Sequence, residues 1–234
     1  MTASGSRLVV KVSGSLLDPP SREYLASLAG VLKSLRQQGY TLAVVTGGGR
    51  GARERIEAAR RLGVPESILD EIGIEYSRVN ALTLAAVLYP YSTPRTPKSI
   101  TETVDQALRG LIPVAGGMQP GQSTNAVAAG IAEALGAGLL VNMLHGVKGV
   151  YDPAPGAPGS RLLDKACYSD LERIISGHSQ TAGGYALFDH VALRIAERSR
   201  IGILFVDGSD PKVLLDAASD PEGAGGTLIG PCRT

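Results

Sequence analysis

Leu42-Ala43-Val44-Val45-Thr46-Gly47-Gly48-Gly49-Arg50-Gly51 reads as a short buried strand that runs straight into a glycine loop, and Ala52, Ile56 and Ala59 carry the chain on as a helix. A strand this apolar has no face to give to water, so layers must cover it on both sides. The same grammar repeats on either side. Leu8 to Val12 is an apolar strand closing on Lys11-Val12-Ser13-Gly14-Ser15. Leu111 to Ala115 is a strand closing on Gly116 to Gly121, and an alanine-rich helix follows from Ser123 to Leu135. Between them, Ser21 can cap a helix carrying Leu25, Leu28, Leu32 and Leu35 on one face and stopped by Gly39. Ile74 to Leu88 is a further helix, Pro90 to Pro97 a proline-studded connection, and Thr101 to Leu108 another helix.

Downstream, Leu139 to Leu144 is a strand and Gly146 to Gly159 an extended excursion rich in Gly and Pro. Ser169 with Glu172 reads as a capping box for a short helix to Ile175. Tyr185 to Arg198 is a helix, Ile201 to Val206 a strand, Pro211 to Ala217 a short helix and Gly226 to Ile229 a last strand. Strand, crossover and helix in repetition predict an α/β protein, an open and mostly parallel sheet sandwiched by helices. No linker separates two composition regimes, so residues 1–234 are expected to form a single domain, with two lobes.

Composition narrows the class. Of 234 residues, 44% are hydrophobic, enough for a sizeable core, and 19% are charged, which argues against disorder. Lys plus Arg is 23 against 22 Asp plus Glu, a net charge of +1, and a nucleic-acid partner usually calls for a basic excess. No apolar run approaches the ~18 residues of a membrane span, and Met1 to Ser6 has no apolar h-region. A soluble cytoplasmic protein is expected, with no nucleic-acid or membrane partner. Cys167 and Cys232 have no CxxC partner and no ligand spacing, which excludes a disulfide framework and an ordinary zinc site. Glycine is high at 30 residues.

Position decides what the glycines are for. In open α/β sheets ligands bind beyond the carboxyl ends of the strands. Three glycine loops lie there. Such loops expose backbone N–H groups and positive helix ends, which suit phosphate. There is no GxxxxGK[ST], and Gly47 to Gly49 lack the spacing of a dinucleotide fingerprint. One glycine turn after a strand is structural as often as not. Three of them, with Lys11 in one and Arg53 a helical turn beyond another, point to an anionic ligand.

Lys11-Val-Ser-Gly-Ser, Val45-Thr-Gly-Gly-Gly, Leu69-Asp70 with Gly73-Ile74, Ser77-Arg-Val-Asn-Ala81, Gly116-Gly-Met-Gln-Pro-Gly-Gln-Ser-Thr124 and Gly149-Val-Tyr151 resemble uridylate (UMP) kinases of the amino-acid-kinase superfamily, the archaeal branch above all. Gly183 to Asp189 and Ile195 to Ser199 resemble the same branch. The resemblance implies transfer of the γ-phosphoryl of ATP to UMP with Mg²⁺, a homohexamer, and inhibition by UTP. It also implies an acceptor lobe over roughly 1–136 and a donor lobe over roughly 137–234.

Residue by residue, the resemblance implies that Lys11 contacts the phosphoryl in transit, while Ser13, Gly14 and Ser15 offer small donors to ATP phosphates. Gly48 faces UMP, Gly49 faces ATP, and Arg53 belongs to the ATP side; Arg50, Arg55, Arg60 and Arg61 read as solvated helix arginines. Asp70 contacts UMP, where an acid suits ribose hydroxyls. Met118, Gln119, Pro120, Gly121, Gln122, Ser123 and Thr124 read the uracil and the UMP phosphate; a Gln supplies paired donor and acceptor. Asp189 matches a family acid that can orient Lys11 or a metal-bound phosphate; a helix-start aspartate serving only the dipole is the alternative.

One segment departs. The family's adenine loop usually reads Thr-(Asn/Lys)-Val-Asp-Gly-Val-(Tyr/Phe), with Asp-Pro some residues on. Here it is His145-Gly146-Val147-Lys148-Gly149-Val150-Tyr151, then Asp152-Pro153 at once. Tyr151 still fits a residue lining the adenosine; His145 and Asp152 are carried over to the ATP site, and no protein metal ligand is expected. An altered donor preference, a compensated ATP site and loss of catalysis all stay open. A non-enzymatic molybdenum storage protein shares the fold, but Met118 to Thr124 favours UMP. An isopentenyl phosphate kinase would carry a histidine after its glycine loop, where this chain has Arg50-Gly51-Ala52.

Overall fold

Val9, Val10 and Val12 of β1 (Arg7–Val12) are wholly buried, as are Leu42 to Val45 of β2 (Thr41–Thr46), so β1 and β2 lie in the interior of a covered sheet. The computed structural model describes residues 6–176 and 187–232. With β3 (Val114–Ala115), β4 (Leu139–Leu144), β7 (Lys165–Cys167), β8 (Gly202–Asp207) and β9 (Thr227–Gly230), these strands make a seven-stranded sheet in the order β3-β2-β1-β4-β8-β9-β7. Every pairing is parallel except β8 with β9. A separate antiparallel pair, β5 (Tyr151–Asp152) with β6 (Arg161–Leu162), stands off the sheet.

Strand alternation divides the core. Val10, Val12, Val44 and Met143 pack with α1 (Arg22–Gln37), α3 (Glu66–Leu88) and α8 (Val213–Ser219) on one face. Val9, Val45, Leu140 and Phe205 pack with α5 (Thr124–Leu135), α6 (Tyr168–Ser176) and α7 (His190–Arg198) on the other. Helix α4 (Ile100–Leu108) lies against α5, whose run of Ala and Gly lets neighbours come close. Helix α2 (Gly49–Arg60) packs along α3. The chain builds outward from β1 through β2 to β3, then crosses back to lay β4 on the other side of β1. That reversal opens a crevice at the carboxyl ends of β1 and β4.

The open, mostly parallel sheet and most predicted elements are present. Ser21 caps α1 by accepting from the Tyr24 N–H at 3.3 Å, and Gly39 ends it at φ +97°. Several boundaries differ. The strand read over Leu111 to Ala115 shrinks to two residues. Ser169 lies inside α6 rather than at its cap, because Asp170 accepts from the Cys167 N–H at 3.0 Å one step earlier. The helix read from Tyr185 begins at His190, since extended backbone at Asp189 turns that carboxylate onto the Ala192 N–H at 2.9 Å. Residues 177–186, with Gly183 to Ala186 of the quoted motif, lie outside the described residues. The excursion from Gly146 to Gly159 holds β5, and its partner β6 follows at Arg161–Leu162.

The cysteine reading is corrected too: Cys167 and Cys232 form a single disulfide, with Cα atoms 4.9 Å apart. Parallel pairing of β7 with β9 sets Cys167 level with Gly230, two residues before Cys232, a proximity that spacing in the sequence does not reveal.

Candidate active site

The crevice is a cleft of about 440 Å³, bounded by the loops after β1, β2 and β3 and by the starts of α2, α5 and α7. The first two loops touch backbone to backbone. A Cβ on Gly14 would stand 2.1 Å from the Gly49 nitrogen and 2.5 Å from the Gly47 oxygen, so only glycine fits. Gly49 itself sits at φ +81°. Helix α3 holds both later loops from below. The Asn80 amide donates to the Gly47 and Gly48 carbonyls at 2.8 and 3.3 Å. The buried Ser77 hydroxyl accepts from the Gly117 N–H at 2.7 Å, and Arg78 donates to the Gly117 carbonyl at 3.1 Å. From the β1 side, Asp18 accepts from the Gly51 N–H in the first turn of α2.

Two helix starts meet across the cleft. The Ser123 hydroxyl accepts from the Ala126 N–H, capping α5 at 3.0 Å, and donates to Asp189, the cap of α7. Asp189 is 8% exposed; one of its oxygens accepts from Ser123 and the other from the Ala192 N–H. Asp70 on α3 accepts from the Gly121 N–H at 2.8 Å and so ties the third loop to α3. Lys11 projects toward α5 and α7, the face also taken by Val9, and lines the cleft floor. Burial holds its ammonium down to about 8, opposed by the charge of Asp189. Beside it in the neighbouring strand is Asn142, wholly buried. The Asn142 amide nitrogen donates to Asn125 at 3.3 Å, while its oxygen has no partner among the described residues.

Of the residues singled out in the sequence, Lys11, Ser13, Gly14, Gly48, Gly49, Arg53, Asp70, Gly121, Gln122, Ser123, Thr124 and Asp189 line this one cleft. Ser15 stands behind Arg53, which donates to its hydroxyl at 3.0 Å. Met118 packs against the core, and Gln119 and Pro120 are exposed on the rim. Arg60 and Arg61 pair with Glu57, as solvated helix arginines do, and Arg55 lies over the Tyr76 ring.

His145, Tyr151 and Asp152 lie apart from this cleft, after β4. Asp152 is taken up by Arg173 at 2.7 Å, which keeps its carboxyl below the usual range. Thr227 accepts from the Val150 N–H at 2.8 Å and anchors that segment. Sequence reading gave no role to Asn125, Asn142, Asp18 or Asn80. A signal existed for Asn142: an amide in the middle of the apolar run Leu139 to Leu144 needs a reason.

The model of the amino acid kinase family matches residues 6–207. The chain belongs to the amino acid kinase family. A uridylate kinase of Aeropyrum pernix is 52% identical over 218 residues, covering 93% of this chain and 97% of that protein. A uridylate kinase of Methanothermobacter thermautotrophicus is 38% identical over 227 residues, covering 96% and 99%. The crystal structure of uridylate kinase from Archaeoglobus fulgidus superposes with a TM-score of 0.83 at 31% identity, covering 95% of this chain and 99% of that one. A UMP kinase of Bacillus anthracis, at 22% identity and a TM-score of 0.77 over 97% of each chain, shares the fold. The resemblance drawn from the motifs is thus borne out.

Proposed function

We infer that the protein is a uridylate kinase, a nucleoside monophosphate kinase that transfers the γ-phosphoryl of ATP to UMP and releases UDP and ADP in pyrimidine nucleotide biosynthesis. The observation that carries this reading is the convergence of Lys11, two touching glycine loops and the start of α5 on one cleft of about 440 Å³. Phosphoryl transfer asks a protein for little covalent chemistry, only positioning and positive charge. A phosphate oxygen of UMP attacks the γ-phosphorus as the bond to the ADP oxygen breaks opposite it. Free N–H groups at the start of α5 and in the glycine loops hold the two anions; Lys11 stands where charge accumulates between them. Gln119 to Thr124 read the uracil, and Asp70 holds their loop in place. Asp189 faces Lys11 and keeps it charged.

Mg²⁺ fits as an ion carried in on the nucleotide. Among the described residues no three acidic, His or Cys groups gather to cage a metal, and Mg²⁺ is commonly held by phosphates and water with few protein ligands. It supplies charge neutralisation on the triphosphate. The acceptor lobe then spans roughly 1–136 and the donor lobe roughly 137–234, with His145, Tyr151 and Asp152 on the donor side. Val79, Leu82, Val87 and Tyr89 form an exposed apolar stripe along α3 and just beyond it, a surface suited to a second copy and so to a homohexamer. UTP is the expected inhibitor, and the cytoplasm the expected location; no helix among the described residues is long and apolar enough to cross a membrane.

A coupled assay of ADP release tests the reading, with UMP, CMP, dCMP and isopentenyl phosphate offered separately. UMP is the best acceptor. CMP presents an amine where uracil presents a carbonyl, which leaves polar groups unpaired and costs orders of magnitude in rate. Comparable turnover of CMP and UMP overturns the uracil assignment, and release only with isopentenyl phosphate overturns the uridylate kinase assignment in favour of another kinase.

A further inference from the structure

Lys11 on the floor of the cleft and the oxygen of Asn142 beside it in the next strand both lack hydrogen-bond partners among the described residues, and the two side chains face the same way. Lys11 of β1, Asn142 of β4 and Phe205 of β8 stand level in adjacent parallel strands, so all three side chains leave the sheet on the α5 and α7 face. Asn142 has no solvent exposure and is fastened by Asn125, the second residue of α5. Its oxygen accepts nothing. Buried polar atoms are nearly always paired, so an orphan beside a functional group asks for an explanation. Lys11 has three N–H donors and no hydrogen bond of its own among the described residues.

We propose that Asn142 is the positioning residue for Lys11: its side-chain oxygen, open in this structure, takes one N–H of the ammonium when the lysine stem turns toward it and leaves the other two for the phosphoryl oxygens. Asn125 locks the amide, and because Asn125 opens α5, the contact ties the lysine to the helix start that receives the acceptor phosphate. An uncharged acceptor suits this duty, since it orients the lysine without neutralising the charge the reaction needs. The remaining charged groups that line the cleft are Arg53 from α2, Glu66 and Asp70 from α3, and Asp189 from the start of α7. The proposal rests on the kinase reading for its consequence in turnover but not for the contact itself.

Lys11 is one of six lysines, so ¹³C-methylated lysine NMR resolves its titration. Asn142→Leu keeps the volume and removes the acceptor. The Lys11 midpoint then drops by about one pH unit, the acceptor having favoured the charged form. Turnover falls about tenfold with KM for UMP and ATP within about twofold, and the alkaline limb of the pH profile moves down by the same unit. Asn142→Asp restores an acceptor and raises the midpoint above wild type through its charge; should the leucine variant not fold, Asn142→Ala removes the acceptor with the smaller side chain and gives the same fall. A Lys11 midpoint unchanged in the variants overturns the proposal, and if Lys11→Ala is still inactive the kinase reading survives it. No ADP release from the wild-type protein with UMP overturns the kinase reading instead, and the midpoint still reports the contact.

Discussion

The loops on the two sides of β1 are built differently. On the β2 side the loops after β2 and β3 are held by Ser77, Arg78 and Asn80, neighbours on α3 with Ser77 and Asn80 buried. On the β4 side the following segment has one buried anchor, Thr227 accepting from the Val150 N–H, and is otherwise held at its edges. Asp207 accepts from the Gly146 N–H at 3.2 Å, and Arg173 grips Asp152 through an ion pair whose members are 61% and 31% exposed. Buried bonds are costly to lose, whereas exposed pairs contribute little. The β2 side therefore tolerates change poorly. The β4 side, away from Thr227, can change residues at lower cost, and there lie the exposed His145 and Lys148.

The heaviest blow to that contrast falls on the residue at its centre. Lys11→Ala lowers turnover by a factor of order 10²–10³, as does removing one preorganised charge donor, while UMP affinity by calorimetry stays within a few fold. Near wild-type turnover would return Lys11 to a structural part. Since burial holds Lys11 at about 8 rather than 10.5, kcat/KM of the wild type declines as pH rises past 8. The sign for stability is opposite: between about 8 and 10.5 the unfolded chain binds the extra proton, so the folded state gains stability with rising pH across that window.

Gly14→Ala comes next. The new Cβ meets the Gly49 nitrogen, the two loops part, and a misplacement of about 1 Å costs roughly 10²-fold in rate. Unchanged kinetics in a folded Gly14→Ala protein would show that the loops need not touch. Asn80→Ala strips donors from two loop carbonyls, costs about 1–3 kcal/mol in denaturant unfolding, and raises KM for UMP more than for ATP. Equal effects on both substrates would erase the distinction between the two sides.

Lys148→Asp is the mildest. An exposed charge facing a polyanion changes ATP affinity only a few fold, and calorimetry with ATP and GTP reads the change. Failure of the wild type to bind any nucleoside triphosphate, with binding restored in the variant, would show a surrendered donor site.

The alternation of apolar strands with helices, the Ser21 cap and the three glycine loops were legible because each depends on neighbours within a few residues. Periodicity, capping and turn chemistry are local properties of a chain. The motif likeness extended that reach to Lys11, Asp70 and Asp189. What stayed hidden were couplings between residues far apart in sequence: Asn80 beneath Gly47, Ser123 donating to Asp189 across 66 positions, Cys167 meeting Cys232 across 65, and Asn142 level with Lys11. Strand order and register decide those contacts, and both are set by which faces the whole core can bury together. A chain read in order carries the period of each element but not the partner against which it comes to rest.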